Sequence, residues 1–225
     1  MNSFAIMPDE VVDLMDNCQI NDHMCGFYMS EEERDVTVSY YILIGLEKGE
    51  RVIYIDNDND HSAIIRGLQK LSIDVDSVIA SGQLSILDRK QTYLSLGHFD
   101  PDNMINQWKE ISGSNKKKNY SGLRAVGDVP CDDSHGKILD KVLQYEVELN
   151  NFFPNNDALA LCMYNRSLFP KESLARILFT HPLVLHKNTV CTNSYFISPE
   201  NFSPDLGVDQ GLDKLLEQIW VQNKR

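Results

Sequence analysis

The residues best suited to chemistry fall in four places. Asp56-Asn57-Asp58-Asn59-Asp60 alternates carboxylates with amides in the manner of a Ca²⁺ loop. An EF-hand loop needs Gly at its sixth position and Glu at its twelfth. Counted from Asp56, those positions hold His61 and Gly67. The run is therefore expected to cap a helix, with Asp56 at the C-terminal end of a strand, where open α/β sheets bind ligands. Tyr164-Asn165-Arg166 follows the very apolar stretch Ala158–Met163 and places polar groups at a similar edge. The soft ligands His23, Cys25, Cys131, His135, Cys162, His181, His186 and Cys191 are scattered along the chain. Cys131 and His135 have usable spacing, but no CxxC or HxxxH set accompanies them, so no metal site is expected. Asp128 ends a further apolar segment, and is read as a ligand-orienting acid or a cap for the Asp132–Ser134 turn.

These side chains need a scaffold, and the pattern is that of alternating strands and helices. Short apolar runs at Gly26–Met29, Arg51–Ile55, Leu84–Leu87, Leu123–Val126, Ala158–Met163 and Leu183–His186 read as strands buried on both faces. Lys137–Asn150 carries Ile138, Val142, Tyr145 and Leu149 on one helical stripe, and Val208–Val221 carries Val208, Leu212, Leu215, Leu216, Ile219 and Trp220 on another. Pro170–Phe179 opens with a proline, which suits a first helical turn. Val36–Leu46 is rich in β-branched residues. It is nonetheless expected to be a buried helix, because Ser30 and Glu33 ahead of it form a capping box and parallel neighbours need a long connection. The predicted class is α/β, a mostly parallel sheet flanked by helices in three layers.

At 225 residues, 42% hydrophobic and 24% charged, the chain can bury one large core, and a single domain over 1–225 is expected. The formal net charge of −12 disfavours direct binding to nucleic acid or to an anionic membrane. Lys116-Lys117-Lys118, the longest basic run, reads as a solvated loop. No stretch of about 18 apolar residues is present, and Met1–Met15 lacks the features of a secretory signal. Five cysteines, an odd number widely spaced, suit reduced thiols and a cytoplasmic location.

Read in order, the segments HMCGFY (His23–Tyr28), GLEKGERVIYID (Gly45–Asp56), GLRAVGDVPC (Gly122–Cys131), YEVELN (Tyr145–Asn150), ALCMYNRSLFP (Ala160–Pro170) and THPLVLHKN (Thr180–Asn188) resemble the MEDS family, the methanogen/methylotroph, DcmR-type sensory domains. The resemblance runs over roughly residues 20 to 200, with the last helix at about 208–223 beyond it. It implies a fold like that of the RecA/KaiC ATPases, used as a sensor of small organic compounds coupled to transcription or signalling. In such ATPases a phosphate loop follows the first strand, and an acid at the position of Asp128 organises Mg²⁺. A working phosphate loop needs glycines whose N–H groups curl around phosphates, a lysine and a hydroxyl. Here the turn is Met29-Ser30-Glu31-Glu32-Glu33-Arg34-Asp35, with no glycine, no lysine and three glutamates where phosphates would dock.

The expected function is therefore non-catalytic and cofactor-free. A small organic ligand would be held near Tyr28, Ser30, Arg34, Asp56, Asp128, Cys131, Tyr164 and Arg166, and the signal would pass to a protein partner. Arg124, in the same strand as Asp128, is expected to form a structural ion pair. A homo-oligomer is compatible with the apolar last helix. The rival readings are a nucleotide-binding ATPase with an atypical phosphate site and a pseudo-ATPase scaffold that binds only protein. Because rim side chains lie outside a packed core, Asp128→Asn and Tyr164→Phe are expected to leave the melting temperature of the free protein nearly unshifted.

Overall fold

The fold was analysed in a computed structural model, which describes residues 18–56, 61–115, 118–129, 138–187, 189–204 and 207–224. Strand β1 (His23–Tyr28) leads into helix α1 (Glu31–Glu47) and strand β2 (Arg51–Asp56). Helices α2 (Ser62–Lys70) and α3 (Val75–Ala80) cross to β3 (Leu84–Asp88), and α4 (Pro101–Asn115) crosses to β4 (Leu123–Asp128). Helix α5 (Ile138–Phe152) then precedes β5 (Ala158–Asn165), and α6 (Lys171–Phe179) precedes the hairpin of β6 (Leu183–His186) and β7 (Thr189–Thr192). Helix α7 (Leu212–Asn223) closes the described chain. Among these residues the strands form a seven-stranded sheet of order β3-β2-β4-β5-β1-β6-β7, parallel throughout except for β7. No helix among the described residues is long and apolar enough to cross a membrane.

Because successive strand residues point to opposite faces, the sheet divides the core in two. On one face Met24 and Tyr28 of β1, Val52 and Tyr54 of β2, Val126 of β4 and Leu161 and Met163 of β5 pack under α1, α2 and α3. On the other, Cys25, Ile53, Ile55, Ala125, Ala160, Cys162 and Tyr164 pack under α4, α5, α6 and α7. Each buried side chain of Leu or Ile size contributes about 1.5–3 kcal/mol, so both layers are needed to hold the sheet.

Helix α1 is buried almost all round, including Val36, Val38, Tyr41, Ile42 and Ile44. Burial here overrides the strand propensity of its β-branched residues. The Glu33 N–H donates to Ser30 Oγ at 3.3 Å, and Glu33 Oε2 accepts from the Met29 N–H at 2.9 Å, so the box closes one residue earlier than its usual form. The GLEKGE segment ends this helix for identifiable reasons. A Cβ on Gly45 would lie 2.6 Å from Arg124 Cδ, so glycine is what lets the two elements touch. Gly49 has φ +71°, the left-handed turn that terminates helices. Glu50 then pairs in the interior with Arg124, whose guanidinium also lies 4.5 Å from the Tyr41 ring. The structural ion pair expected of Arg124 is present.

The strands extend beyond the predicted apolar runs, since β1 starts three residues before Gly26, β4 gains Gly127 and Asp128, and β5 gains Tyr164 and Asn165 at its C-terminal end. Backbone pairing continues there after side-chain hydrophobicity stops. Helix α7 begins at Leu212 rather than Val208. Leu212, Leu215, Leu216 and Ile219 are buried, while Val208 and Trp220 pack at the edge of the core. A helix was expected to follow the Asp56–Asp60 run, and α2 does so with His61 at its N-cap position; helices α3 and α4 and strand β7 were not singled out from the sequence.

Candidate functional site

Two buried polar networks lie on opposite faces of the sheet. The first sits at the C-terminal ends of β1, β2 and β4, beneath the start of α1. The Tyr28 hydroxyl donates to Asp128 Oδ1 at 2.8 Å, and Arg34 Nη1 donates to Asp128 Oδ2 at 3.0 Å. Tyr28 reaches across the intervening β5, where Met163 faces both Gly26 and Asp128 in register. A Cβ on Gly26 would come within 2.8 Å of Met163 Sδ, so the glycine makes room for that methionine. The other edge of the Arg34 guanidinium donates to Asp35 Oδ1 through Nε at 2.9 Å and Nη2 at 2.7 Å. Arg34 is thus turned inward between two carboxylates rather than out toward a ligand. Nearby, Asp56 Oδ2 and His61 Nδ1 are 3.0 Å apart. Burial pushes the Asp128 carboxyl up to about 6, with Arg34 and Tyr28 opposing that rise and Asp56 adding to it.

Beside Tyr28 is a cavity of about 190 Å³, with Gly26, Met29, Thr37, Met163, Leu185 and Leu216 among its lining and Glu33, Arg166 and Lys187 among its polar groups. Arg166 also pairs with Asp213 in the first turn of α7, and with Met29 it borders a second concavity against α6 and α7. Met29 is 62% exposed at this junction.

The structure therefore gathers Tyr28, Arg34 and Asp128 into one network, with Asp56 on the same side and Ser30 as helix cap. Arg166 stands apart at the mouth of the cavity. Cys131, with His135 and the Asp132–Ser134 turn, lies outside the described residues, as do residues 57–60 and Lys116–Lys117. Tyr164 does not join the rim group. Register pairs Asp128 with Met163, so Tyr164 belongs to the opposite pleat and points away from the cavity. Its hydroxyl is fully buried and donates to Glu146 Oε1 at 2.6 Å. Neither Asp128 nor Tyr164 is a lightly held rim group. The expectation that Asp128→Asn and Tyr164→Phe leave stability unshifted is corrected, because each would remove partners from a buried network.

Tyr164 leads to the second network, which the sequence reading missed. Glu146 of α5 lies under the sheet, with Oε2 at 3.1 Å from His23 Nε2, 3.3 Å from His181 Nε2 and 3.5 Å from Cys162 Sγ. Cys162 Sγ is also 3.6 Å from His23 Nε2. One ligand atom from each of these four residues lies within 4.8 Å of all the others, and every one of the residues is buried. The other ring nitrogens are held from behind. His181 Nδ1 lies 2.8 Å from the Ile177 carbonyl, and His23 Nδ1 lies 3.0 Å from Asn150 Oδ1. Asn150 in turn donates its amide to the Glu146 and Thr180 carbonyls.

Burial lowers the basicity of His23, helped by the neighbouring His181 and opposed by Glu146. Burial alone would raise Glu146, but contacts with His181 and His23 outweigh it and hold the carboxyl below its usual range. Burial, joined by the Glu146 charge, pushes the Cys162 thiol well up. Of these four residues, three were on the list of scattered soft ligands. Glu146 was quoted only within YEVELN. The signal available in sequence was parity: Cys162 and Tyr164 share a pleat, and Glu146 lies one residue beyond Tyr145 on the inward side of its helix.

Among solved structures, the chain is similar to the crystal structure of the flagellar accessory protein FlaH from Methanocaldococcus jannaschii. Identity is 10% over 87% of this chain and 88% of that one, with a TM-score of 0.56. At that identity the likeness speaks for the fold alone. Comparison with curated protein sequences gives no significant match. The sequence profile of the MEDS family, "MEthanogen/methylotroph, DcmR Sensory domain", matches residues 22–182, a span that contains every residue of both networks. With about 70% of its length matched, the chain belongs to the family of methanogen/methylotroph, DcmR sensory domains.

Proposed function

We propose that this is a non-catalytic sensory domain of RecA-like architecture that reads a small organic ligand at the C-terminal end of β1 and passes its state to a protein partner in signalling or transcription. The family supplies the sensory role, and the opening order of strand, capped helix, GLEKGE turn and strand supports the architecture. The observation that carries the reading is the inward turn of Arg34. The one cation in the turn after β1 is spent on Asp128 and Asp35, and Glu31, Glu32 and Glu33 remain in the first turn of α1. A triphosphate there would meet three carboxylates and no lysine. The adjoining cavity, at about 190 Å³, suits a molecule of a few heavy atoms, with apolar walls and polar groups to orient it. Leu216 of α7 and Thr37 of α1 both line it, so occupancy bears directly on one helix from each layer.

Two measurements test this. Calorimetric titration with Mg-ATP should give no binding in the low micromolar range, about −8 kcal/mol; binding at that level refutes the reading in favour of an ATPase. A thermal-shift screen of small organic and methylated compounds should yield binders whose stabilisation is lost in Leu185→Trp, which fills the cavity. Binders that stabilise this variant as well as the wild type would place the site elsewhere. The absence of any binder would favour a scaffold that recognises only protein.

A further inference from the structure

We propose that His23, Glu146, Cys162 and His181 form a closed, four-coordinate site for a zinc-like divalent cation. The inference is independent of the rim cavity, whose lining shares no residue with this cluster. It rests first on distances. Zinc binds thiolate sulfur at about 2.3 Å and imidazole nitrogen or carboxylate oxygen at about 2.0–2.2 Å, so tetrahedral geometry puts its ligands about 3.3–3.7 Å apart. The four separations among these ligand atoms given above run from 3.1 to 3.6 Å.

The second ground is the direction of the protons. His181 Nδ1 faces the Ile177 carbonyl, which can only accept, so this nitrogen carries hydrogen. Thr180 Oγ1 donates to the same carbonyl and is free to accept from that ring nitrogen at 3.0 Å. His23 Nδ1 faces Asn150 Oδ1, and the Asn150 amide nitrogen is identified by its two carbonyl partners. With Nδ1 carrying the hydrogen, each ring can turn its Nε2 lone pair toward the same point beside Glu146 Oε2. His181 Nε2 is completely buried and lies 3.3 Å from that oxygen without good hydrogen-bond geometry. A divalent cation satisfies all four at once.

Charge and surroundings agree. A dication, one carboxylate and one thiolate sum to zero with both rings neutral, and the Cys162 proton is released to solvent on binding. The partners behind the ligands are those a metal site needs: a carbonyl and an amide oxygen fix the two rings, and the Tyr164 hydroxyl occupies Glu146 Oε1, leaving Oε2 for the cation. Four protein ligands without exposure describe a structural site rather than one open to substrate. Such a cation would tie β1, α5, β5 and the second residue after α6 to one point.

The test uses the full chain unfolded with a chelator and refolded with Zn²⁺ or Co²⁺, because a sealed site is loaded during folding. The expected result is one equivalent of zinc per chain surviving desalting. The cobalt form should show the visible d–d bands of tetrahedral coordination and a near-ultraviolet thiolate-to-cobalt band. Cys162→Ser should abolish the thiolate band, and Glu146→Gln should lower metal affinity by tenfold or more. The wild-type cobalt spectrum needs no variant to fold, so the proposal stands or falls on it alone if the variants aggregate. Refolded wild type that holds no metal overturns it. Metal held without a thiolate band, or unchanged in Cys162→Ser, marks surface binding and overturns it too.

Discussion

Asp128→Asn gives the sharpest test of the rim network, through its dependence on pH. The folded carboxyl titrates at about 6, above the 3.8 of an ordinary aspartate, because burial outweighs the help of Arg34 and Tyr28. The folded protein therefore holds this proton more tightly than the unfolded chain does. The stability this contributes is complete below pH 3.8 and is lost as pH rises through about 6. The whole rise is worth about 3 kcal/mol, of which roughly 2–2.5 kcal/mol falls between pH 4 and pH 7. Asparagine keeps the shape and has no proton to titrate. The difference in unfolding free energy between variant and wild type should therefore move in the variant's favour by that amount across the interval. For a chain of this length that is about 5–10 °C in melting temperature. Urea unfolding of both proteins at constant ionic strength, every half pH unit, measures it. Taking the difference cancels the carboxylates remote from Asp128, while Asp35 and Asp56, which share its network, respond with it. A flat difference, or one that favours the wild type as pH rises, would refute the reasoning. It would mean that the Arg34 ion pair balances or outweighs burial.

Two further outcomes follow from packing. Gly45→Ala places a methyl group against Arg124 Cδ, Arg124 Nε and Val52 Cγ2, all within 2.8 Å, and should cost about 1–3 kcal/mol in urea unfolding; an unchanged midpoint would show that the Arg124 side chain moves aside freely. Deleting residues 208–225 uncovers the α6 and β7 surfaces under Leu212, Leu215, Leu216 and Ile219, and should give aggregates in size-exclusion chromatography. A monomer with unchanged melting temperature would contradict that.

Much of this fold could be read from residue type and order, because parallel strands buried on both faces leave long apolar runs. Ser30 and Glu33 disclosed the start of α1 against its strand-like composition. Arg124 disclosed a buried pair because a charge inside such a run needs a partner. Helices α2 to α4 were harder: α2 and α3 are short and half-exposed, and α4 buries only part of one side among serines and asparagines. The site was legible only in part. Tyr28 and Asp128 were rightly placed at strand ends, yet Tyr164 was put beside them by its distance along the strand, without counting pleats. The cluster around Glu146 draws on positions 23, 146, 162 and 181, and no spacing rule joins ligands that meet only through the order of a finished sheet.

The place of β1 in that sheet bears on how the chain folds as it is made. Its neighbours are β5 and β6, and Tyr28 pairs in register with Asn165, which is 137 residues later. At about 5–20 residues per second of synthesis, this strand waits roughly 7–30 s for a partner. Through that interval HMCGFY has open backbone groups on both edges, with Met24, Cys25 and Phe27 uncovered. Pairing at such separation closes a long loop before it returns any contact energy, so joining β1 is among the slow steps of folding. The nascent chain is most exposed to aggregation before β5 emerges, and a chaperone that shields His23–Tyr28 would act on a strand that ends inside the sheet, between β5 and β6.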